Sequence, residues 1–94
     1  MQTITVEGTR NQHHVLMYAL STCMWCRRTK AFLQHHMVAY EYIDVDLQDR
    51  MTKHTIIQDI LKHGGQLTYP TLIIDDTILI QGHHINKIAE VLDL

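Results

Sequence analysis

Val15-Leu16-Met17-Tyr18-Ala19-Leu20 is an unbroken apolar run of strand length, and it leads through Ser21 and Thr22 into the chain's only two cysteines, Cys23 and Cys26. Such a run suits a strand buried on both faces, which belongs in the interior of a sheet. From Met24 to about Met37 the period turns helical. Trp25, Thr29, Phe32, Leu33, His36 and Met37 fall on one side, and Arg27, Arg28, Gln34 and His35 on the other. A buried strand, a short turn and a helix that begins on a cysteine pair thus form the unit around which the rest must pack.

The remaining pattern supplies what packs. Tyr40 to Val45 reads as a strand, and Asp46 to Asp49 as a turn carrying helix-starting acids. Gln48 to His63 reads as a helix with Ile56, Ile57, Ile60 and Leu61 on one stripe, stopped at Gly64-Gly65. Thr71 to Ile74 and Thr77 to Ile80, joined by Asp75-Asp76, give a hairpin signal. Ile85, Ile88, Ala89 and Leu92 recur at helical spacing and close the chain with an amphipathic helix. The order β-α-β-α-β-β-α predicts an α/β fold. Its four-stranded mixed sheet holds one right-handed parallel crossover, an antiparallel hairpin at the edge, and helices on both faces. Residues 15–94 make up this domain. Residues 1–14 are an extension in which Thr3-Ile4-Thr5-Val6 either adds an edge strand or stays mobile.

Several function classes fall away. At 94 residues the chain holds one small core. A net charge of -2 predicts no nucleic-acid surface, and no apolar stretch approaches the roughly 20 residues of a membrane helix. Met1 to His14, with Glu7, Arg10 and two histidines, lacks the apolar segment of a secretory signal. A cytoplasmic, reducing location and a monomer are the expectations. There, an adjacent cysteine pair is rarely a permanent cross-link and closes a loop too short to stabilise much. Redox chemistry and metal binding are left. The doublets His13-His14, His35-His36 and His83-His84 keep zinc in view, since imidazole and thiolate are its ligands. A structural zinc site takes four ligands in close pairs, however, and only one cysteine pair is present, so no metal ligands are assigned.

Placement on the strand-turn-helix unit separates the two thiols. Cys23 falls at the turn, where the helix's unpaired N–H groups and positive dipole end favour an anion. Arg27 and Arg28 add positive charge in the first helical turn. Thiols in such settings have pKa values lowered from about 8.5 toward 7 or below. Cys23 is the predicted nucleophile. Cys26, one turn on and on the apolar stripe with Leu33, is the predicted resolving thiol, which displaces a mixed disulfide by attacking Cys23.

With Thr68-Tyr69-Pro70-Thr71 opening the third strand, Pro70 being the chain's only proline, and Gly82 following the fourth, these residues resemble the glutaredoxins. The resemblance covers residues 15 to 94 and implies a thioredoxin-like fold and a dithiol-disulfide oxidoreductase of protein or mixed disulfides. It further implies that the Tyr69-Pro70 bond is cis, and that the Tyr69 backbone pairs with an extended substrate segment. Thr22, Met24, Trp25, Tyr69, Pro70 and Gly82 are the implied substrate-binding residues. No tightly bound cofactor is implied. The implied electron donor is glutathione or a thioredoxin-reductase-type enzyme, and ribonucleotide reductase is among the implied substrates. Leu20 stands where glutathione-using members commonly carry a cation, and Gln81-Gly82-His83-His84-Ile85-Asn86 lacks their aspartate. A zinc or glutathione-dependent iron-sulfur carrier on the same fold is the alternative.

Overall fold

Every residue of Val15–Ala19 is buried, because this strand has a packed layer on each side. The computed structural model describes residues 1–94. Its elements are β1 (Ile4–Val6), β2 (Val15–Ala19), α1 (Met24–His35), β3 (Tyr40–Asp44), a 3-10 turn (Val45–Leu47), α2 (Arg50–Lys62), β4 (Thr71–Ile74), β5 (Ile78–Gln81) and α3 (Ile85–Leu92). The sheet order is β1-β3-β2-β4-β5. β2 and β3 pair in parallel, and the other neighbours are antiparallel. Alternate residues of β2 feed two cores. Val15, Met17 and Ala19 join Cys26, Leu33, Ile88 and Leu92, while Leu16 and Tyr18 join Ile56 and Ile60. α1 and α3 therefore cover one face of the sheet and α2 the other. No helix is long and apolar enough to cross a membrane.

The sheet has five strands where the sequence pattern predicts four. The extra strand is β1, whose Ile4, Thr5 and Val6 pair with Tyr42, Glu41 and Tyr40. Three residues are too few for a period to stand out. Gly8 lets this segment lie against the chain entering β3, since a Cβ there would meet the carbonyl oxygen of Met37 at 2.5 Å. The hairpin forms as expected, with Asp75 and Asp76 both at positive φ and the Thr77 N–H donating to the Ile74 carbonyl.

All three helices end in the same left-handed turn. The N–H groups of Val38, Gly65 and Leu94 reach back to the carbonyls of Leu33, Ile60 and Ala89, with Met37, Gly64 and Asp93 at positive φ. Gly64 is the stop read from the sequence. Met37 is a correction, for it lies past the end of α1 and is 56% exposed rather than on the buried face. Val38 fills the core position instead. Trp25 is likewise half-exposed, and the buried stripe of α1 is Cys26, Thr29 and Leu33. On α2 only Ile56 and Ile60 are buried, and Leu61 is exposed.

Tyr18, fully buried, donates its hydroxyl to the Asp59 carboxylate. Asp59 also faces His63 at the end of α2. His63 Nδ1 lies 2.8 Å from the Asp59 carbonyl oxygen, and Nε2 lies 3.0 Å from that of Asp76. Because both ring nitrogens meet acceptors, the doubly protonated ring fits best, and these two contacts raise the His63 pKa above its usual 6.5. A raised folded-state pKa gives stability that is complete below the unfolded value and is lost as pH rises through the folded one. The melting temperature of the wild type should therefore exceed that of His63→Gln by more at about pH 5.5 than at about pH 8. An equal gap at both pH values would contradict this reading.

Candidate active site

The turn from Leu20 to Cys23 is set by three contacts. The Cys23 N–H donates to the Leu20 carbonyl at 3.2 Å. The Ser21 N–H and hydroxyl both donate to the Asp46 carboxylate, and these bonds lower the Asp46 pKa below the usual carboxylate value. Arg27 reaches the Ser21 carbonyl at 3.5 Å. Asp46, read from sequence only as a turn acid, thus ties the start of the turn to the segment after β3.

Cys23 is the N-cap of α1, and its Sγ accepts the Cys26 N–H at 3.1 Å. An N–H at a helix start aimed at sulfur is a stabilising partner for negative charge there. Both cysteines are free; Cys23 is half-buried and Cys26 fully buried. The Cys26 thiol is pushed up to about 12, first by burial and then by its contact with Cys23. It is therefore a neutral thiol at ordinary pH. One turn further on, the Lys30 ammonium sits 3.5 Å from Asp44 Oδ1 and 3.7 Å from the centre of the Tyr42 ring.

The Tyr69-Pro70 bond is cis. The segment carrying it is held from β5: the Gln81 side-chain amide donates to the Gln66 carbonyl and to the Thr71 hydroxyl, and its oxygen accepts the Gln66 N–H. The Gly82 N–H donates to the Pro70 carbonyl at 2.8 Å. Gly82 has a φ of 93°, and a Cβ there would crowd the His84 ring.

Trp25, Tyr69, Pro70, Gly82 and His83 line one cavity of about 260 Å³. Four of these five were selected from the sequence. Thr22, on the turn, and Met24, the first residue of α1, flank Cys23, are exposed and lie outside this lining. The Arg28 guanidinium stacks 4.8 Å from the Trp25 ring centre, so the two arginines rest on Ser21 and Trp25. His83, noticed in the sequence only as part of a doublet, meets the buried Thr29 hydroxyl at 2.8 Å and the Trp25 ring at 5.4 Å. Thr29 carried one legible signal, a polar residue on an apolar helical stripe. No group of three or more His, Cys, Asp or Glu side chains is placed to hold a metal ion.

Comparison with known proteins agrees with this fold. The glutaredoxin family model matches residues 15–79. Glutaredoxin 1 of Rickettsia conorii is 36% identical over 64 residues, which cover 68% of this chain and 60% of that protein; the match thus spans about three fifths of the curated relative's length. Among solved structures, the glutaredoxin of Methanosarcina mazei superposes with a TM-score of 0.89 at 30% identity, covering 100% of this chain and 90% of that one. Methanoredoxin of Methanosarcina acetivorans gives 0.89 at 32% identity, with 100% and 97% covered.

Proposed function

The chain belongs to the glutaredoxin family, and from that premise we propose that it reduces protein or mixed disulfides by dithiol-disulfide exchange, with Cys23 as nucleophile and Cys26 as resolving thiol. One observation carries the assignment: the accessible sulfur caps a helix and accepts an N–H, while the other is buried and protonated. The Cys23 thiolate attacks one sulfur of the substrate disulfide, forming a mixed disulfide and releasing the other as a thiolate. Cys26 then gives up its proton and attacks Cys23 Sγ, and the second substrate sulfur leaves. Two electrons pass to the substrate, and the protein is left with a Cys23–Cys26 disulfide. Substrate is held against the Tyr69 backbone as an added strand, with Trp25, Pro70 and Gly82 around it.

The disulfide must then be reduced by glutathione or by a thioredoxin-reductase-type enzyme. Two features favour the enzyme. Leu20 packs into the α2-side core where a cation would serve a tripeptide, and the cavity lining contains no carboxylate. The test mixes oxidised protein with millimolar reduced glutathione while following Trp25, the only tryptophan. Reduction much slower than by an equal concentration of dithiothreitol is expected. Comparable rates would overturn the donor assignment, and no thiol-reversible change under either reagent would overturn the dithiol-disulfide reading.

A further inference from the structure

Cys26 must lose a proton before it can attack Cys23, and its surroundings mostly oppose that loss. Burial, then the contact with Cys23, keeps the proton on, while the Leu20 backbone and the Lys30 ammonium favour its departure. Lys30 follows Cys26 by four residues on α1, which puts it on the same side of the helix about 6 Å further along the axis. Only 19% of its side chain is exposed.

The sheet fixes where that ammonium lies. Asp44 is the register partner of Ala19, and Ala19 shares its core with Cys26. Tyr40, Tyr42 and Asp44 alternate along β3 toward that same face, with Tyr40 in the core and Tyr42 against it. Asp44 Oδ1 is buried and accepts no hydrogen bond. The Lys30 ammonium meets it at 3.5 Å and rests 3.7 Å from the Tyr42 ring centre. A cation anchored in this way needs little reorganisation when negative charge appears on a nearby sulfur.

Few other ionisable groups surround Cys26. On α1, Arg27 and Arg28 are drawn off to Ser21 and Trp25, and Cys23 at this step is a neutral disulfide sulfur. From β3 come the Asp44 carboxylate and the two phenols. β2, β4 and α3 present Met17, Ala19, Leu72, Ile74, Ile88 and Leu92 to the same core, and none of these ionises. His83, before α3, is turned to Thr29 and Trp25.

Building on the disulfide-exchange reading, we infer that Lys30 is a positioning residue for the resolving step: held by Asp44 and Tyr42, its ammonium stabilises the negative charge that the buried Cys26 sulfur takes on before it attacks Cys23. Asp44 anchors the cation but opposes it in sign, since a carboxylate disfavours a thiolate. The two members of one ion pair thus act in opposite directions on one step.

Dithiobis(nitrobenzoate), an aromatic disulfide, separates the steps. Mixed with one equivalent of reduced protein, it releases one coloured thiolate when Cys23 attacks. A second leaves when Cys26, its proton passed to the buffer, displaces the aryl sulfur from Cys23. That second phase is unimolecular, and its rate at about pH 7.5 is the readout. Lys30→Met should slow it by about threefold to tenfold, because a tenfold to hundredfold tighter hold on the proton is half offset by the stronger nucleophile it leaves. Lys30→Arg, which keeps the charge, should restore it. Asp44→Asn should run at least as fast as the wild type. Because Lys30→Met strands a buried carboxylate, the double variant Lys30→Met/Asp44→Asn serves as the check on folding, and it should be slower than Asp44→Asn by the same factor. The first phase, at Cys23 two turns from Lys30, should change by less than about twofold throughout. Equal slowing by Lys30→Met and Asp44→Asn, the mark of a pair that matters only for packing, overturns the inference, as does a double variant as fast as Asp44→Asn. Release of a single equivalent of thiolate by the wild type overturns the exchange reading itself, and the inference with it.

Discussion

Cys23→Ser is expected to abolish disulfide reduction while leaving the protein folded. A serine hydroxyl does not ionise near neutral pH, and exchange needs the anionic sulfur nucleophile, so the rate should fall to that of the uncatalysed reaction. The structure makes this substitution unusually clean. Cys23 occupies the N-cap of α1, and serine is among the best residues there, its oxygen accepting the same N–H that the sulfur accepts now. Stability should therefore change by no more than about 1 kcal/mol. Reduction of a protein disulfide by stoichiometric protein, with a thermal melt on the same sample, checks both halves. Retained activity would show that Cys23 is not the nucleophile.

The second large effect concerns the buried thiol. Removing Cys26 leaves the first attack intact but removes the group that displaces substrate, so the mixed disulfide between Cys23 and substrate should accumulate nearly to one equivalent. Alanine is the better replacement. Cys26 is fully enclosed, and a serine hydroxyl there would be desolvated without an assured partner, at about 1–3 kcal/mol. Mass spectrometry of Cys26→Ala incubated with a peptide disulfide should find the covalent adduct, which dithiothreitol removes. If no adduct forms and turnover continues at the wild-type rate, substrate is released by an external thiol instead.

Much of this architecture was legible because its signals are local. The run from Val15 to Leu20 suits a strand buried on both sides, which Val15–Ala19 is, and Gly64 marks the end of α2 because the left-handed turn favours glycine. Asp49, at the start of α2, accepts the Thr52 N–H as a cap should. What escaped depends on partners distant in sequence. Met37 makes the same turn as Gly64 without the glycine that would announce it, so the helical period runs two residues past the end of α1. Trp25 shares the helical side of the buried residues by spacing while the resemblance implies a place at the substrate site; the structure has it half-exposed in the cavity lining, but its contact with His83 spans more than half the chain and has no local signal. Asp46 and Gln81 hold the two segments of the candidate site through side-chain bonds to backbone that no spacing rule encodes. The cysteine pair and Pro70 were readable because their spacing and position are themselves the motif.

Because the sulfur of Cys23 is also the cap of α1, every catalytic cycle would remake the start of that helix. In the dithiol state the Cys26 N–H has a sulfur to bond. Once that sulfur is tied into a neutral disulfide, it is a poorer acceptor, and the helix begins with a weaker hold on its first turn. The helix thus takes sides in the redox equilibrium, favouring the reduced partner of the couple. Each 1.4 kcal/mol of that preference would make the protein about 30 mV less reducing. A conformational detail that secures twelve residues of helix is at the same time a setting on how willingly the chain parts with its electrons.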